Sequence, residues 1–145
     1  MSLDGAYDPD NVFARVLRGE LPCAKVYEDA DVFAFMDLFP QARGHMLVVS
    51  KASHARNLLD VEPHHLERLI FGVQRLARAA RVALKPDGIT VTQFNGSAAG
   101  QTVFHLHFHI IPRFQGEPLR SHAGGGPADA AELGTLAHRI AAEVS

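Results

Sequence analysis

The stretch that decides the fold is His105-Leu106-His107-Phe108-His109-Ile110-Ile111, in which histidine alternates with an apolar residue. Successive side chains of a β-strand point to opposite faces, so this alternation predicts a strand over residues 104–111, ended by Pro112. One face would present three imidazoles, with neighbours about 6.6 Å apart along the strand. The other face is apolar and predicts packing against the protein core.

Three explanations of the histidine face are open. Packing alone is a poor one, because crowded imidazoles add little to a core and accept protons less readily. A zinc site is the second, since neutral imidazole is a common zinc ligand, and a fourth ligand would come from His45, His54 or Asp37. The third is nucleophilic catalysis, in which one imidazole attacks a phosphorus or carbonyl centre while an acceptor holds its other nitrogen.

The loop before this strand favours a phosphate ligand. Residues 96–100 read Gly-Ser-Ala-Ala-Gly, and such small residues let backbone N–H groups approach an anion closely. The possible donors Gln101 and Thr102 follow directly. The loop is not a Walker sequence, because it lacks the Gly-Lys-Ser/Thr ending and leads into a strand. Together with the histidine strand, the loop predicts chemistry on a phosphate group.

The rest of the chain predicts more strands than helices. The apolar patterns predict further strands over residues 25–28, 31–37, 45–50 and 89–93. They predict helices from an Asp10 N-cap to Gly19, over residues 63–84, and over residues 129–144 from an Asp129–Glu132 capping box. Residues 114–128 read as a flexible, Gly-rich connection. Short connections between strands favour a single α+β domain over residues 1–145, with an antiparallel sheet.

Composition excludes several classes of function. The chain has 145 residues, of which 47% are hydrophobic and 21% charged, as in ordinary globular domains. A net charge of −2 does not provide the broad basic face of a nucleic-acid binder. No apolar run approaches the roughly 20 residues that span a bilayer, and no signal-peptide pattern begins the chain. With Cys23 as the single cysteine, we expect a cytoplasmic protein without nucleic-acid or membrane partners.

With these residues in view, the chain resembles the histidine triad (HIT) family of nucleotide hydrolases and transferases, in particular its bacterial Hint-like branch. The resemblance rests on residues 100–113, Gly-Gln-Thr-Val-Phe-His-Leu-His-Phe-His-Ile-Ile-Pro-Arg, and extends over about residues 11–113. It implies a five-stranded antiparallel sheet with flanking helices. It further implies a homodimer that joins two such sheets into a continuous ten-stranded sheet. Residues 63–84 are either the dimer helix of this assembly or a helix whose periodic face is buried within one chain.

The resemblance implies a role for each histidine of the motif. His107 matches the nucleophile that attacks the α-phosphate and holds the nucleoside monophosphate covalently. His105 matches the residue whose backbone carbonyl orients that ring, and His109 the residue that contacts phosphate and leaving group. His45 matches a supporting fourth histidine. Asp37 matches the acid that binds the ribose hydroxyls, since a carboxylate offers two acceptor oxygens to two neighbouring donors.

The remaining nucleotide contacts that the resemblance implies are apolar walls around the base and a phosphate loop. The implied walls are Val12, Phe13, Val16, Phe35 and Leu38. The implied loop residues are Asn95, Gly100, Gln101 and Thr102. Many relatives place an asparagine in this loop, and here Phe94 holds one possible position for it and Asn95 the next.

The chain departs from many bacterial relatives at the positions of a structural zinc site. Those relatives bind zinc through Cys-x-x-Cys near the start together with two histidines. Here Asn11 and Ala14 occupy the cysteine positions, so we expect no structural zinc, with His54 as a relic of the site. The attack itself requires no cofactor, and magnesium is expected only alongside a polyphosphate substrate.

The function implied is hydrolysis of adenylated purine nucleotides at the α-phosphate through a covalent nucleotidyl-histidine. The candidate substrates are nucleoside phosphoramidates, slightly favoured, and dinucleoside polyphosphates. The alternative is a nucleotide-binding or interaction module without catalysis. An inactive module would be expected to lose a histidine of the motif, whereas this chain keeps His105, His107 and His109. His109 also separates it from the uridylyltransferase-like branch, which has glutamine there.

Overall fold

The computed structural model of the protein describes residues 3–121 and 126–145. Its centre is a five-stranded antiparallel sheet in the order β1-β2-β3-β5-β4. The strands are β1 Lys25–Glu28, β2 Val32–Met36, β3 Met46–Ser50, β4 Gly88–Thr92 and β5 His107–Arg113. The helices are α1 Val12–Leu17, α2 Pro63–Leu84 and α3 Ala130–Ala141, with a 3-10 turn at Ser97–Ala99. This architecture confirms the predicted α+β class and the predicted number of strands.

The main core lies between one face of the sheet and the two longer helices. Met46, Val48, Phe108 and Ile110 of the central strands belong to a buried cluster that includes residues of α2 and α3. These side chains share a face because alternate residues of a strand point the same way. Burial of this apolar surface contributes about 25 cal/mol for each Å² removed from water. The core fixes β5 between β3 and β4, with its other face towards the site.

The opposite face of the sheet carries a smaller apolar cluster and two histidines. The register places Leu47 opposite both Phe35 and His109, and it places Val49 opposite both Phe33 and His107. Phe13 and Val16 of α1 pack against the phenylalanine and aliphatic residues of this face. The short helix therefore closes over the face that presents His107 and His109.

Helix α2 has the predicted bounds because strong local signals mark both of its ends. Pro63 occupies the first helical turn, and Lys85 ends the helix in the left-handed conformation at φ 51°. Gly72 lies directly against β2, where an added Cβ would stand 2.9 Å from Cγ1 of Val32. Within the described part of the chain, none of the helices is both long and apolar enough to cross a bilayer.

Several predicted helix and strand bounds are wrong by one residue: β3 begins at Met46 rather than at residue 45, and β2 ends at Met36 rather than at residue 37. Helix α1 is capped by Asn11 rather than Asp10, because the Asn11 side chain accepts a hydrogen bond from the N–H of Ala14 at 2.9 Å. Strand β2 begins one residue later than predicted, since the N–H groups of Asp31 and Val32 both donate to Oδ1 of Asp29. This side-chain turn competes with the ladder at the start of the strand.

The predicted bounds of β4 and β5 are also wrong. Strand β4 is shifted by one residue to Gly88–Thr92, and β5 begins at His107 and continues through Pro112. Before His107 the chain leaves the ladder, and the N–H of Leu106 donates to the carbonyl of Ala55. Pro112 lies beyond the last β3 partner, Met46 opposite Ile110, and pairs with β4 alone. A strand with one neighbour at that residue tolerates the missing N–H of proline.

The segment before α3 returns to the loop after β2. Arg120 donates its N–H to the carbonyl of Gln41 at 2.7 Å, and Ala128 donates to the carbonyl of Leu38 at 2.9 Å. The connection expected over residues 114–128 is therefore tied down on both sides of residues 122–125, which lie outside the described residues. Asp129 caps α3 by accepting from the N–H of Glu132, as predicted, but the helix ends at Ala141 rather than at residue 144.

Candidate active site

His107 stands at the start of β5 with one ring nitrogen held by the backbone. Its Nδ1 lies 2.6 Å from the carbonyl oxygen of His105. A carbonyl oxygen can only accept a hydrogen bond, so Nδ1 carries the proton and Nε2 of the neutral ring keeps its lone pair. Phe13 of α1 meets this ring edge-on, with centroids 4.7 Å apart. The arrangement presents an unprotonated Nε2 on a buried, oriented imidazole.

His105 lies outside the ladder between β3 and β5, and its side chain makes different contacts from those of His107 and His109. Its Nε2 donates to the carbonyl of Ser50 at 2.7 Å, and its Nδ1 lies 2.7 Å from the hydroxyl of Tyr7. Burial lowers the pKa of His105 below its usual value, which keeps the ring neutral. The prediction of a regular strand that presents three imidazoles on one face is therefore wrong at His105, which precedes the strand.

His109 is hydrogen-bonded to a second buried histidine, His45, which lies in the connection between β2 and β3. The N–H of Gln41 donates to Nδ1 of His45 at 3.0 Å, so the proton of the neutral His45 ring is on Nε2. That Nε2 lies 2.9 Å from Nδ1 of His109 and 3.4 Å from a carboxylate oxygen of Asp37. Nδ1 of His109 accepts from His45, which places the proton of His109 on Nε2.

The neighbouring rings of His107 and His109 thus have opposite tautomers. Their centroids are 5.1 Å apart, and both residues are buried on the same face of β5. His107 offers a lone pair on Nε2, whereas His109 offers an N–H on Nε2. A nucleophile beside a hydrogen-bond donor is the pair that attack on a phosphate or acyl centre requires.

Within the described residues, one cluster has metal-ligand types at short range, formed by Asp37, His45 and His109. Their potential ligand atoms all lie within 4.8 Å of one another. However, coordination through Nε2 of His45 would move its proton to Nδ1, where it would face the N–H of Gln41. The cluster contains one histidine of the β5 motif instead of the three that the zinc explanation invoked. The hydrogen-bond pattern therefore fits a proton-bearing network better than a metal ligand set.

The residues at the expected zinc positions make other contacts. Asn11 caps α1 through the N–H of Ala14. His54 stacks on Tyr7, with ring centroids 4.9 Å apart and an interplanar angle of 3°. The absence of a structural zinc stays a prediction, which a metal assay would test.

An apolar cavity of about 480 Å³ opens between α1, the end of β2 and the segment before β5. The predicted nucleotide-binding residues that line it are Val12, Phe13, Val16, Phe35, Asp37, Leu38 and Thr102. A concave, mostly apolar site with a few polar groups is typical of small-molecule binding. Sequence reasoning missed Leu21, Pro22 and Val103, which also line the cavity. The apolar Leu-Pro pair that follows Gly19 was the available signal.

The other predicted loop residues do not line this cavity. The buried Gln101 receives a bond from the N–H of Gly96 and donates to the carbonyls of Arg56 and Val103. Asn95 accepts from the N–H of Leu58 at 3.0 Å. The side chains of Gln101 and Asn95 hold the loop in shape.

The backbone of the same loop is bonded within itself. The N–H groups of Gly100 and Gln101 donate to the carbonyls of Ser97 and Gly96. Gly100 has φ +105°, a conformation that favours glycine. Among the four predicted loop residues, Thr102 is the one that reaches the cavity.

Phe94 is a residue of the site that the residue types alone did not reveal. Its ring lies 5.5 Å from the ring of His109, between centroids, and beside Gly100. Asn95, the next residue, is turned away towards Leu58 and Gln93. The ring of Phe94 therefore borders His109, at one of the two positions where the resemblance implied an asparagine.

Comparison with known proteins identifies the family. The HIT domain model matches residues 18–116. This chain belongs to the HIT family. Protein hit of Bacillus subtilis is 40% identical to this HIT protein over 103 residues, which cover 71% of this chain and 70% of the relative. Adenylylsulfatase HINT3 of Arabidopsis thaliana is 34% identical over 136 residues, which cover 90% of this chain and 68% of the relative.

A solved structure extends the agreement beyond residues 100–113. The crystal structure of a HIT-like protein involved in cell-cycle regulation from Bartonella henselae matches this HIT protein with a TM-score of 0.90 and 47% identity. The match covers 96% of this chain and 99% of that chain. The family resemblance drawn from residues 100–113 is confirmed, and so is the fold that it implied.

Proposed function

We propose that this HIT protein is a nucleotide hydrolase that cleaves adenylated substrates at the α-phosphate through a covalent nucleotidyl-His107 intermediate. The observation that carries the proposal is the pair of opposite tautomers, with a lone pair on Nε2 of His107 beside an N–H on Nε2 of His109. The cavity of about 480 Å³, whose lining residue Phe13 contacts the ring of His107, has apolar walls that suit a purine base. One relative, the Arabidopsis protein, is named for an activity on an adenylylated substrate.

The proposed reaction consists of two displacements at phosphorus. The lone pair of His107 Nε2 forms a bond to the α-phosphorus, and the bond to the leaving group breaks with its electron pair. The Nε2–H of His109 donates to the leaving atom or a phosphate oxygen as negative charge grows there. Water then attacks the same phosphorus, the bond to His107 breaks, and the monophosphate leaves. The leaving group gains one proton overall, and water supplies it.

The carbonyl of His105 supports the cationic stage of this reaction. Once Nε2 of His107 is bonded to phosphorus, the ring carries a positive charge with its remaining proton on Nδ1. The carbonyl oxygen 2.6 Å from Nδ1 accepts that proton in a charge-assisted hydrogen bond. The backbone therefore orients the nucleophile before the attack and stabilises it afterwards.

Asp37 is proposed to bind the ribose from the wall of the cavity. The carboxylate is 4% exposed and lines the cavity. Its Oδ1 accepts from the N–H of Phe39 at 2.8 Å, and its Oδ2 faces Nε2 of His45. Each carboxylate oxygen has two lone pairs, so both can accept from a ribose hydroxyl as well. Binding of the ribose and orientation of His45 would then share one carboxylate.

The test compares adenosine phosphoramidate, diadenosine polyphosphate and adenylyl sulfate at matched concentrations with EDTA present. We expect turnover of adenylated substrates without added metal, with the phosphoramidate ahead of the polyphosphate. A clear lead of the polyphosphate would overturn the substrate order. Tight binding of adenosine monophosphate without turnover of any substrate would instead establish the non-catalytic module. Loss of turnover with EDTA would contradict a metal-free attack.

We also propose that the protein forms a homodimer through strand β4. This strand lies at the edge of the sheet, and its Val91 is 45% exposed. An edge strand presents unpaired backbone groups to another strand, so two copies can join their sheets there. Pairing around a two-fold axis would produce the implied ten-stranded sheet.

A charge at the β4 edge is expected to disrupt this dimer. In sedimentation velocity, we expect a dimer for the wild type and a shift towards monomer for Val91→Lys, because the axis brings two like charges together. Leu119→Lys is the matched control, since Leu119 is similarly exposed but belongs to the segment before α3. A wild type that stays monomeric at high concentration would refute the proposed pairing.

A further inference from the structure

We propose that Tyr7 is a positioning residue for the nucleophile, which it holds in place through the side chain of His105. The inference rests on the proposed function, because it takes His107 as the nucleophile. Tyr7 lies 98 residues before His105 in the chain, yet its hydroxyl is 2.7 Å from Nδ1 of the His105 ring. The backbone carbonyl of the same His105 accepts from Nδ1 of His107. One residue thus connects the N-terminal segment to the reacting imidazole.

The direction of each hydrogen bond follows from its acceptor. The carbonyl of Ser50 can only accept, so His105 must carry its proton on Nε2, 2.7 Å away. Nδ1 of the neutral His105 ring therefore has a lone pair, and the Tyr7 hydroxyl must donate to it. Burial raises the pKa of the Tyr7 hydroxyl, which keeps the donor proton in place. The same ring is held at both nitrogens.

His105 gains from this support because it lies just outside the ladder between β3 and β5. The ladder between β3 and β5 begins at His107, opposite Val49. Before His107, Leu106 donates its N–H to the carbonyl of Ala55, in the loop after β3, and its carbonyl accepts from the N–H of Ser50 at 3.4 Å. The His105 carbonyl shares a planar peptide unit with the Leu106 N–H, so the bond from that N–H and the anchored His105 side chain together fix the orientation of the carbonyl that sets the direction of His107.

Tyr7 is itself held in position by several contacts, one of which is a hydrogen bond between its hydroxyl and the Asn11 side chain. Its ring stacks on His54 in a nearly parallel arrangement, with centroids 4.9 Å apart. Before Tyr7, the carbonyl of Leu3 accepts from Nη1 of the buried Arg56 at 3.0 Å. The guanidinium of Arg56 lies over the ring of Phe104, 4.8 Å from the ring centroid. Phe104 is the residue directly before His105. The N-terminal segment is thus held against the residues that lead into β5 at two points, Leu3 and Tyr7.

The test is Tyr7→Phe, which removes the hydroxyl and keeps the ring that stacks on His54. Tyr27→Phe is the matched control, because Tyr27 is the other of the two tyrosines and its hydroxyl contacts Asp29 and Arg75, away from the triad. We expect Tyr7→Phe to lower kcat about 2- to 10-fold, the range for one buried neutral hydrogen bond, with KM within about twofold. Tyr27→Phe should leave both constants unchanged.

A nitrogen-15 NMR measurement on labelled histidine separates positioning from simple loss of stability. In the wild type, we expect Nδ1 of His105 to show the shift of a lone-pair nitrogen that accepts a hydrogen bond. Tyr7→Phe should shift that signal and also increase solvent exchange of the His107 Nδ1–H. An unchanged His107 Nδ1–H, or an unchanged kcat in an active enzyme, would overturn the proposal. If the wild type proves inactive, the proposed function fails, and the NMR signals still decide whether Tyr7 holds His107.

Discussion

Replacement of His107 by alanine is expected to lower kcat on adenosine phosphoramidate by roughly 10⁴- to 10⁶-fold, as for loss of the nucleophile in a covalent mechanism. The reason is the loss of Nε2, the nitrogen with the lone pair on a ring oriented by the His105 carbonyl. Direct attack by water would lack both that nitrogen and its orientation. Single-turnover hydrolysis with excess enzyme measures the effect without interference from product release.

Trapping of the intermediate makes this prediction specific to a covalent route. Wild-type protein quenched during turnover of an α-³²P-labelled substrate should carry acid-labile label, whereas His107→Ala should carry none. The control is His138→Ala, which removes an exposed histidine from α3 and should keep both the label and the activity. Equal thermal unfolding midpoints would show that His107→Ala folds. Label that persists in His107→Ala would assign the nucleophile to another residue.

The fold could be predicted where local signals were strong and isolated. Helix α2 has its predicted bounds because Pro63 opens it, apolar residues repeat with a helical period, and the sequence after Leu84 cannot continue it. The end of β5 could not be predicted in this way. Whether Pro112 stops the strand depends on how far β3 extends beside it, and that is a property of the assembled sheet.

In the site, too, residues that follow a local pattern could be predicted, whereas residues whose role depends on long-range contacts could not. The alternation of His107 and His109 with apolar residues fixed their common face, and the structure places both rings together. Gln101 looked like a phosphate donor because an amide can donate, but its direction towards the carbonyl of Arg56 depends on the shape of the loop. Tyr7 carried no signal at all, because its importance arises from a contact across 98 residues of chain.

The network around His109 leads to a further prediction about the leaving group. His45 donates to Nδ1 of His109 and so keeps the proton of His109 on Nε2, towards the reacting phosphate. We expect His109→Ala to lower kcat on an alkyl phosphoramidate by about 10²- to 10⁴-fold, the usual range for loss of acid–base assistance. His109→Gln should lose less, because a glutamine amide still donates a hydrogen bond.

The leaving group itself distinguishes this role from a general disturbance of the site. On a nitrophenyl ester of adenosine monophosphate, whose leaving group carries negative charge easily, the loss in His109→Ala should be at least about tenfold smaller, because less stabilisation by a donor is required. His107→Ala should lose activity on both substrates alike, since both need the nucleophile. Single-turnover rates for the two variants on the two substrates provide the comparison. An equal loss on both substrates in His109→Ala would mean that His109 positions the phosphate or His107 and does not assist departure, which would remove the leaving-group step from the proposed mechanism while keeping the covalent one.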